Sequence, residues 1–220
     1  MEISQLISLM VDGTIESLYM TLVSTALSYL FGVPLGVILF ITDKGGIAEN
    51  KIVNTQFGTI VNMLRSVPFI ILLVAIIPFT RFVVGTSIGA TATIVPLVVA
   101  ATPFIARMVE SSLKEVNSGV IEAALSMGSN NWQIITKVLI PEAKPSLIVG
   151  STIAVTTILG YSAMAGFVGG GGLGAIAINY GYYKYQTDVM FVTVILLVIV
   201  VQVFQETGMR IAHKTDKRRR

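Results

Sequence analysis

Residues 122–141 read EAALSMGSNNWQIITKVLIP. This amphipathic, polar-flanked stretch lies between two long apolar runs, and its reading decides what surrounds it. Just upstream, Asn117 or Ser118 can cap a first helix, because their side-chain oxygens accept from the unpaired amides of a first turn. Gly128 can end that helix in the left-handed conformation. Ser129 can cap a second helix. Pro141 is expected to stop it, since the residue before a proline avoids the helical region. The expectation is two short helices at an angle over 117–141. Ile121, Ala124 and Leu125 share one face of the first, and Trp132, Ile135 and Val138 share one face of the second.

Composition says what lies on either side. The 220 residues are 54% hydrophobic and 12% charged, with a mean hydropathy of +0.81. A soluble domain carries about 25% charge. The chain has no cysteine, which excludes a disulfide framework, a thiolate metal site and a Cys nucleophile. Its one histidine, His213, sits in a basic tail, so no metal or histidine-based catalytic site is expected. The N-terminal MEISQLISLMVDGTIES lacks the basic region and cleavage pattern of a secretory signal and is expected to lead into a retained span.

A bilayer span needs about 20 mainly apolar residues. Five stretches qualify, at 14–41, 57–79, 89–109, 146–168 and 189–207. The expected fold is therefore all-α, one polytopic membrane domain over 1–220 with five transmembrane helices and the polar loop at 117–141. If the C-terminal tail is inside, the inner regions hold Lys44, Lys51, Arg65, Arg107, Lys114, Lys137, Lys144, Arg210, Lys214, Lys217, Arg218, Arg219 and Arg220. The outer regions hold only Arg81 and Lys184. That bias puts the N-terminus outside, the C-terminus in the cytoplasm, and 110–145 in the cytosol. The tail HKTDKRRR then reads as an anchor on anionic membrane lipid rather than a nucleic-acid patch.

Several spans are interrupted. Gly32 and Gly36 form a G-x-x-x-G pair that permits close helix approach, and Pro34 between them removes a backbone bond. Arg65 and Pro68 occur in RSVP. Arg65 is expected near the cytosolic end, where it either snorkels or helps close the inner end of a pathway. In the fourth span Thr157, Tyr161 and Met164 fall on one helix face. A hydroxyl, a phenol and a thioether aligned in this way suit a path for a small, partly apolar solute; plain helix packing is the alternative. The glycines of 169–174 formally fit G-x-G-x-x-G, but without a preceding strand. They are expected to form a flexible outer loop that lets backbones approach.

No phosphate-binding G-x-x-x-x-G-K-[ST] occurs, so ATP chemistry belongs to a partner and no cofactor is expected on this chain. The spans contain almost no Asp or Glu, which counts against a proton- or sodium-coupled carrier. Five spans are also few for a gated pore, whereas a two-fold dimer supplies ten around one path. A self-sufficient channel or carrier stays the alternative class, and a membrane enzyme lacks catalytic residues.

Within 117–141, Glu122-Ala123-Ala124, then Gly128, then Val138-Leu139-Ile140-Pro141 resembles the coupling-loop motif of permease subunits of bacterial ABC importers. Val138 and Ile140 depart from the family's usual Ile and Leu but keep the apolar character. FGVPLG (31–36), RSVPFIIL (65–72), PFTRFVVGTSIG (78–89), PFIARMVE (103–110) and GYSAMAGFVGGGGLG (160–174) are similar to the methionine-import branch of that family. The resemblance implies a homodimeric permease, with two copies of a separate ATPase on the cytosolic face. It also implies an extracytoplasmic, commonly lipid-anchored, methionine-binding protein. Glu122, Ala123, Ala124, Gly128 and Pro141 would then dock the ATPase. Thr157, Tyr161 and Met164 would line the substrate path, with Arg65 and Pro68 at an inner gate. Cargo would be L-methionine, with D-methionine or another small amino acid as alternatives.

Overall fold

The computed structural model describes residues 3–215, so Lys217, Arg218, Arg219 and Arg220 of the expected lipid anchor lie outside the described residues. Every regular element among the described residues is a helix. They are α1 (Ile3–Ile41), α2 (Lys51–Ser66), α3 (Phe69–Ala75), α4 (Ile77–Val84), α5 (Ala90–Lys114), α6 (Ser118–Ser126), α7 (Asn131–Ile134), α8 (Ile140–Ala165), α9 (Gly172–Ile176) and α10 (Thr187–Thr215). A π turn, Ile135–Leu139, joins α7 to α8, and a second, Ala177–Tyr182, follows α9. Helices α1, α5, α10 and the run containing α8 are each long and apolar enough to cross a membrane, and the bent pair α2–α3 supplies a fifth span.

The core is built around α1 and α5. α1 continues through Pro34 and turns Ser17, Thr21, Ser24, Ser28, Gly32 and Gly36 inward. A Cβ added at Gly36 would come 2.5 Å from the Ala106 carbonyl oxygen, and one at Gly32 would come 2.7 Å from Ile105 Cγ2. The glycine pair therefore brings the two backbones together, which in a bilayer replaces the hydrophobic drive that water would supply. Met20, Leu97, Ile105, Val109, Leu113, Ile158 and Leu139 form the main apolar cluster. The same cluster includes Ala124 and Ile134, so the short helices after α5 are welded to the bundle rather than hung from it.

Three expectations need correction. The stretch 57–79 is not one straight helix. The chain turns by 101° between α2 and α3, with Val67 extended (φ −85°, ψ 124°). The cause is Pro68, whose ring bars the preceding residue from the helical region and which has no amide to donate. Pro141, by contrast, does not stop its helix. The chain is helical without a gap from Asn131 through Val168, and Pro141 sits in the first turn of α8. The wider π turn just before it relieves the ring's clash and absorbs the missing donor. The cap of α7 is Asn130, not Ser129. Its side chain accepts from the Gln133 amide at 2.9 Å while Gln133 Oε1 accepts from the Asn130 amide at 3.0 Å, a reciprocal capping box.

The glycine-rich segment is likewise no flexible loop. Gly172 (φ +78°) donates its amide to Glu16 Oε2 at 2.7 Å, and the Leu173 amide donates to Ser17 Oγ at 2.9 Å. The Gly89 amide donates to the Gly169 carbonyl at 2.8 Å. A Cβ at Gly166 or Gly174 would overlap the backbone facing it. These glycines permit the close approach expected of them, but the segment is pinned to α1 and α5 at one end of the bundle.

Candidate functional site

The 117–141 region leaves the bundle at its cation-rich end, directly after Lys114. Asn117 caps α6, its Oδ1 accepting from the Gly119 amide at 2.8 Å. Gly128 takes φ +76°, so any side chain there would be strained. The E-A-A triplet divides by face. Glu122 and Ala123 are exposed, while Ala124 is buried against the chain's own core. Ala124 therefore shapes the turn of helices and does not itself present a surface. The exposed large apolar groups are Val120, Leu125, Met127 and Trp132, the last two 79% and 71% exposed. An exposed tryptophan and methionine on a rigid two-helix projection are typical anchors for a partner's groove. α7 runs through the π turn into α8 without a break.

At its far end α8 carries the face expected to line a path. The Tyr161 ring stacks on Phe69, centroids 4.6 Å apart and planes 5° from parallel. Met164 is 45% exposed. Thr157 directs its hydroxyl to the Ile153 carbonyl at 2.8 Å, so its proton serves its own helix. The Phe69 stack joins this face to the α2–α3 bend and brings together two features that are far apart in sequence.

The length of α2 before the bend sets the depth of Arg65 and Pro68. From Lys51 to Arg65 the rise along α2 is about 21 Å. Leu64 and Val61 line the same apolar groove as Val99 and Thr102, the middle of α5. Arg65 thus lies midway along the bundle, not near its basic end. It is exposed, and it makes no ion pair with any described residue. A charge held at the middle of a span costs about 2.5–3.5 kcal/mol on insertion scales when it faces lipid, so this side of α2 faces water or protein.

Sequence reasoning missed the polar network at the basic end. Glu110, 6% exposed, receives Arg107 Nη1 on Oε2 at 2.6 Å and Lys114 Nζ on Oε1 at 2.8 Å. Lys114 also reaches Asp43 Oδ2 at 2.9 Å. Arg107 Nη2 donates to the Gly58 carbonyl at 3.1 Å and to Asn62 Oδ1 at 3.0 Å. Asn54 Nδ2 donates to the Leu39 carbonyl at 2.7 Å. Together these bonds clamp α2 to α5 and to the end of α1. The hydrogen bond from Lys114, with a smaller one from the Lys44 amide, holds the Asp43 carboxyl below the usual carboxylate value. The available signal was Arg107 and Glu110 at i, i+3 beside Lys114, but their partners on α2 lie over forty residues away.

Comparisons with known proteins agree on one relationship. A family model described as binding-protein-dependent transport system inner membrane component matches residues 15–213. The probable D-methionine transport system permease protein MetI of Vibrio cholerae is 50% identical over 210 residues, spanning 96% of this chain and 93% of that one. The methionine import system permease protein MetP of Bacillus subtilis is 45% identical over 207 residues, covering 94% and 93%. A solved structure of the MetNI methionine ABC transporter in inward-facing conformations superposes with a TM-score of 0.96 at 49% identity, covering 99% of this chain and 100% of that one.

Proposed function

Since this chain belongs to the family of inner-membrane components of binding-protein-dependent transport systems, we propose that it is the membrane-spanning subunit of an ATP-driven methionine importer. It is a multi-pass transport subunit, and hydrolysis of ATP falls to a separate ATPase. Two copies form one path, and two ATPase subunits dock on the basic, cytosolic end through α6 and α7. A methionine-binding protein delivers cargo at the opposite end, with the N-terminus outside and the C-terminus in the cytoplasm. The observation that carries this reading is the projection over 117–141. It presents Glu122, Ala123, Met127 and Trp132 outward and continues without a break into the helix bearing Tyr161 and Met164.

The work follows from that continuity. Closure of the ATPase dimer moves the projections, and α8 carries the movement toward the path face. ATP and the loaded binding protein shift the population only by favouring the outward-open state over the inward-open one. Met164 and Tyr161 offer the path a polarisable thioether and a ring edge that suit an apolar, sulfur-bearing side chain. The α2–α3 bend at Pro68 narrows the same path midway along it.

The test is uptake of labelled methionine by cells lacking their own importer, with the chain supplied alone, with its cognate ATPase, and with the binding protein added. Uptake only with all components supports the reading. Uptake by the chain alone would make it a channel or secondary carrier. Stronger competition by another amino acid than by unlabelled methionine would reassign the cargo.

A further inference from the structure

Arg65 is a mid-bundle cation that the fold leaves unused. Arg107, the neighbouring cation, has acceptors from Glu110, Gly58 and Asn62, whereas Arg65 has no hydrogen bond or ion pair to any described residue. None of α2, α3 and α4 contains an Asp or Glu. Glu110, the acidic group that reaches α2's partner Arg107, is already engaged by two cations. Asn62, Arg65 and Ser66, at i, i+3 and i+4 on α2, are exposed; Arg65 follows buried Val61 by one turn on the same side of the helix, and Asn62 already accepts from Arg107 of α5. Lipid solvates this face poorly at mid-depth, so it faces water or protein, and an aqueous path between two protomers supplies the water. Four residues on, the Phe69 stack on Tyr161 fixes the bend beside the Tyr161–Met164 face of α8.

We propose that Arg65 receives the α-carboxylate of the amino-acid cargo as it passes the middle of the path. This rests on the methionine-importer reading. In a two-fold dimer each protomer contributes one Arg65 from opposite sides. The guanidinium presents paired donors that match a carboxylate bidentately. The lack of an acidic neighbour keeps those donors free, because a resident carboxylate would compete with the cargo. The cargo's apolar end is left to Tyr161 and Met164. Arg65 thus supplies a carboxylate requirement inside the membrane subunit, separate from any made by the delivering protein.

The experiment uses the complete transporter in proteoliposomes with loaded binding protein, comparing the unmodified chain with Arg65→Gln and Arg65→Lys. Copurification with the ATPase checks assembly of each. Methionine uptake and ATP hydrolysis stimulated by the binding protein are measured together. Loss of one charge-assisted pair predicts that Arg65→Gln lowers uptake about tenfold to a hundredfold. Stimulated hydrolysis should stay within about twofold, because the switch itself is intact. Uptake recovered in Arg65→Lys shows that charge suffices, and uptake still lost there with hydrolysis intact shows that the fork is needed; both support the proposal. Uptake in Arg65→Gln within about twofold of the unmodified protein overturns it. So does a parallel fall of uptake and hydrolysis in both variants, which would assign Arg65 to the conformational switch. If the unmodified transporter imports no methionine, the cargo assignment fails first, and that failure appears without any variant.

Discussion

Replacing Glu110 with Gln should loosen α2 from α5. The carboxylate is 6% exposed and holds two cations, Arg107 at 2.6 Å and Lys114 at 2.8 Å. Breaking a buried pair by removing one partner costs about 3–5 kcal/mol. The Arg107 and Lys114 side chains are 26% and 49% exposed, so water recovers part of their solvation. The expected loss is then about 2–3 kcal/mol. For a chain of this size that lowers an unfolding midpoint by about 4–12 °C. The assay is thermal unfolding of the assembled complex at one fixed scan rate, since membrane complexes unfold irreversibly. A double-mutant cycle with Arg107→Gln isolates the pair. The double variant should lose about 1–2 kcal/mol less than the two single losses added together. Because Arg107 also fixes α2 at Gly58 and Asn62, methionine uptake should fall in the same order as stability. A midpoint that stays within about 1 °C in Glu110→Gln, or strictly additive losses, would refute the clamp.

Ala123→Asp should leave the chain folded but abolish ATPase-coupled uptake, whereas Ala124→Asp should lower yield of the folded permease itself, because Ala124 is buried in the chain's own core. Intact uptake in Ala123→Asp with the complex assembled would remove that position from the docking surface. Gly36→Val should destabilise the bundle by about 1–3 kcal/mol or more, as overpacking does, because its Cβ would press on the Ala106 carbonyl; unchanged thermal stability would show that α1 can move away. Asp43, whose carboxyl is held below 3.8 mainly by Lys114, stabilises the fold at neutral pH. The unfolded chain binds the proton more tightly, so this contribution is present above the ordinary carboxylate value and is lost as pH falls through the depressed one. Asp43→Asn should therefore be less stable than the unmodified protein at pH 7, with the difference vanishing in strong acid; a difference that does not change with pH would put its cause elsewhere.

Local rules carried the reading of some elements and misled on others. The caps at Asn117 and Gly128 were legible because each depends on one or two adjacent residues. Pro68 and Pro141 looked alike in sequence, yet one breaks a span and the other lies inside a helix. The difference is the preceding turn: Val67 is forced extended, while the residues before Pro141 widen into a π turn that makes room. Arg65 lies deeper than expected because α2 starts at Lys51 and runs unbroken to Ser66, which carries Arg65 close to the helix's far end. Ala124 illustrates the same limit on a smaller scale. The motif includes it among the proposed docking residues, but its side chain packs inward, and direction of packing depends on what Ile134 and Leu139 place behind it.

The sequence by itself determined the class of this protein. Hydropathy sets the number of spans because lipid leaves helices as the option for an unpaired backbone, and the spacing of Glu122, Ala123, Ala124 and Gly128 carries the likeness to the transporter family. Those signals are local, or sum over short windows. Only the tertiary structure decided that Gly32 and Gly36 meet α5, that Phe69 stacks on Tyr161, that Glu110 gathers Arg107, Lys114 and through it Asp43, and that Arg65 stands midway along the bundle without a partner among the described residues. Each of these joins residues distant in the chain, and which groups meet depends on helix rotation and bend angle. Packing of the whole bundle fixes both, and no single segment encodes them.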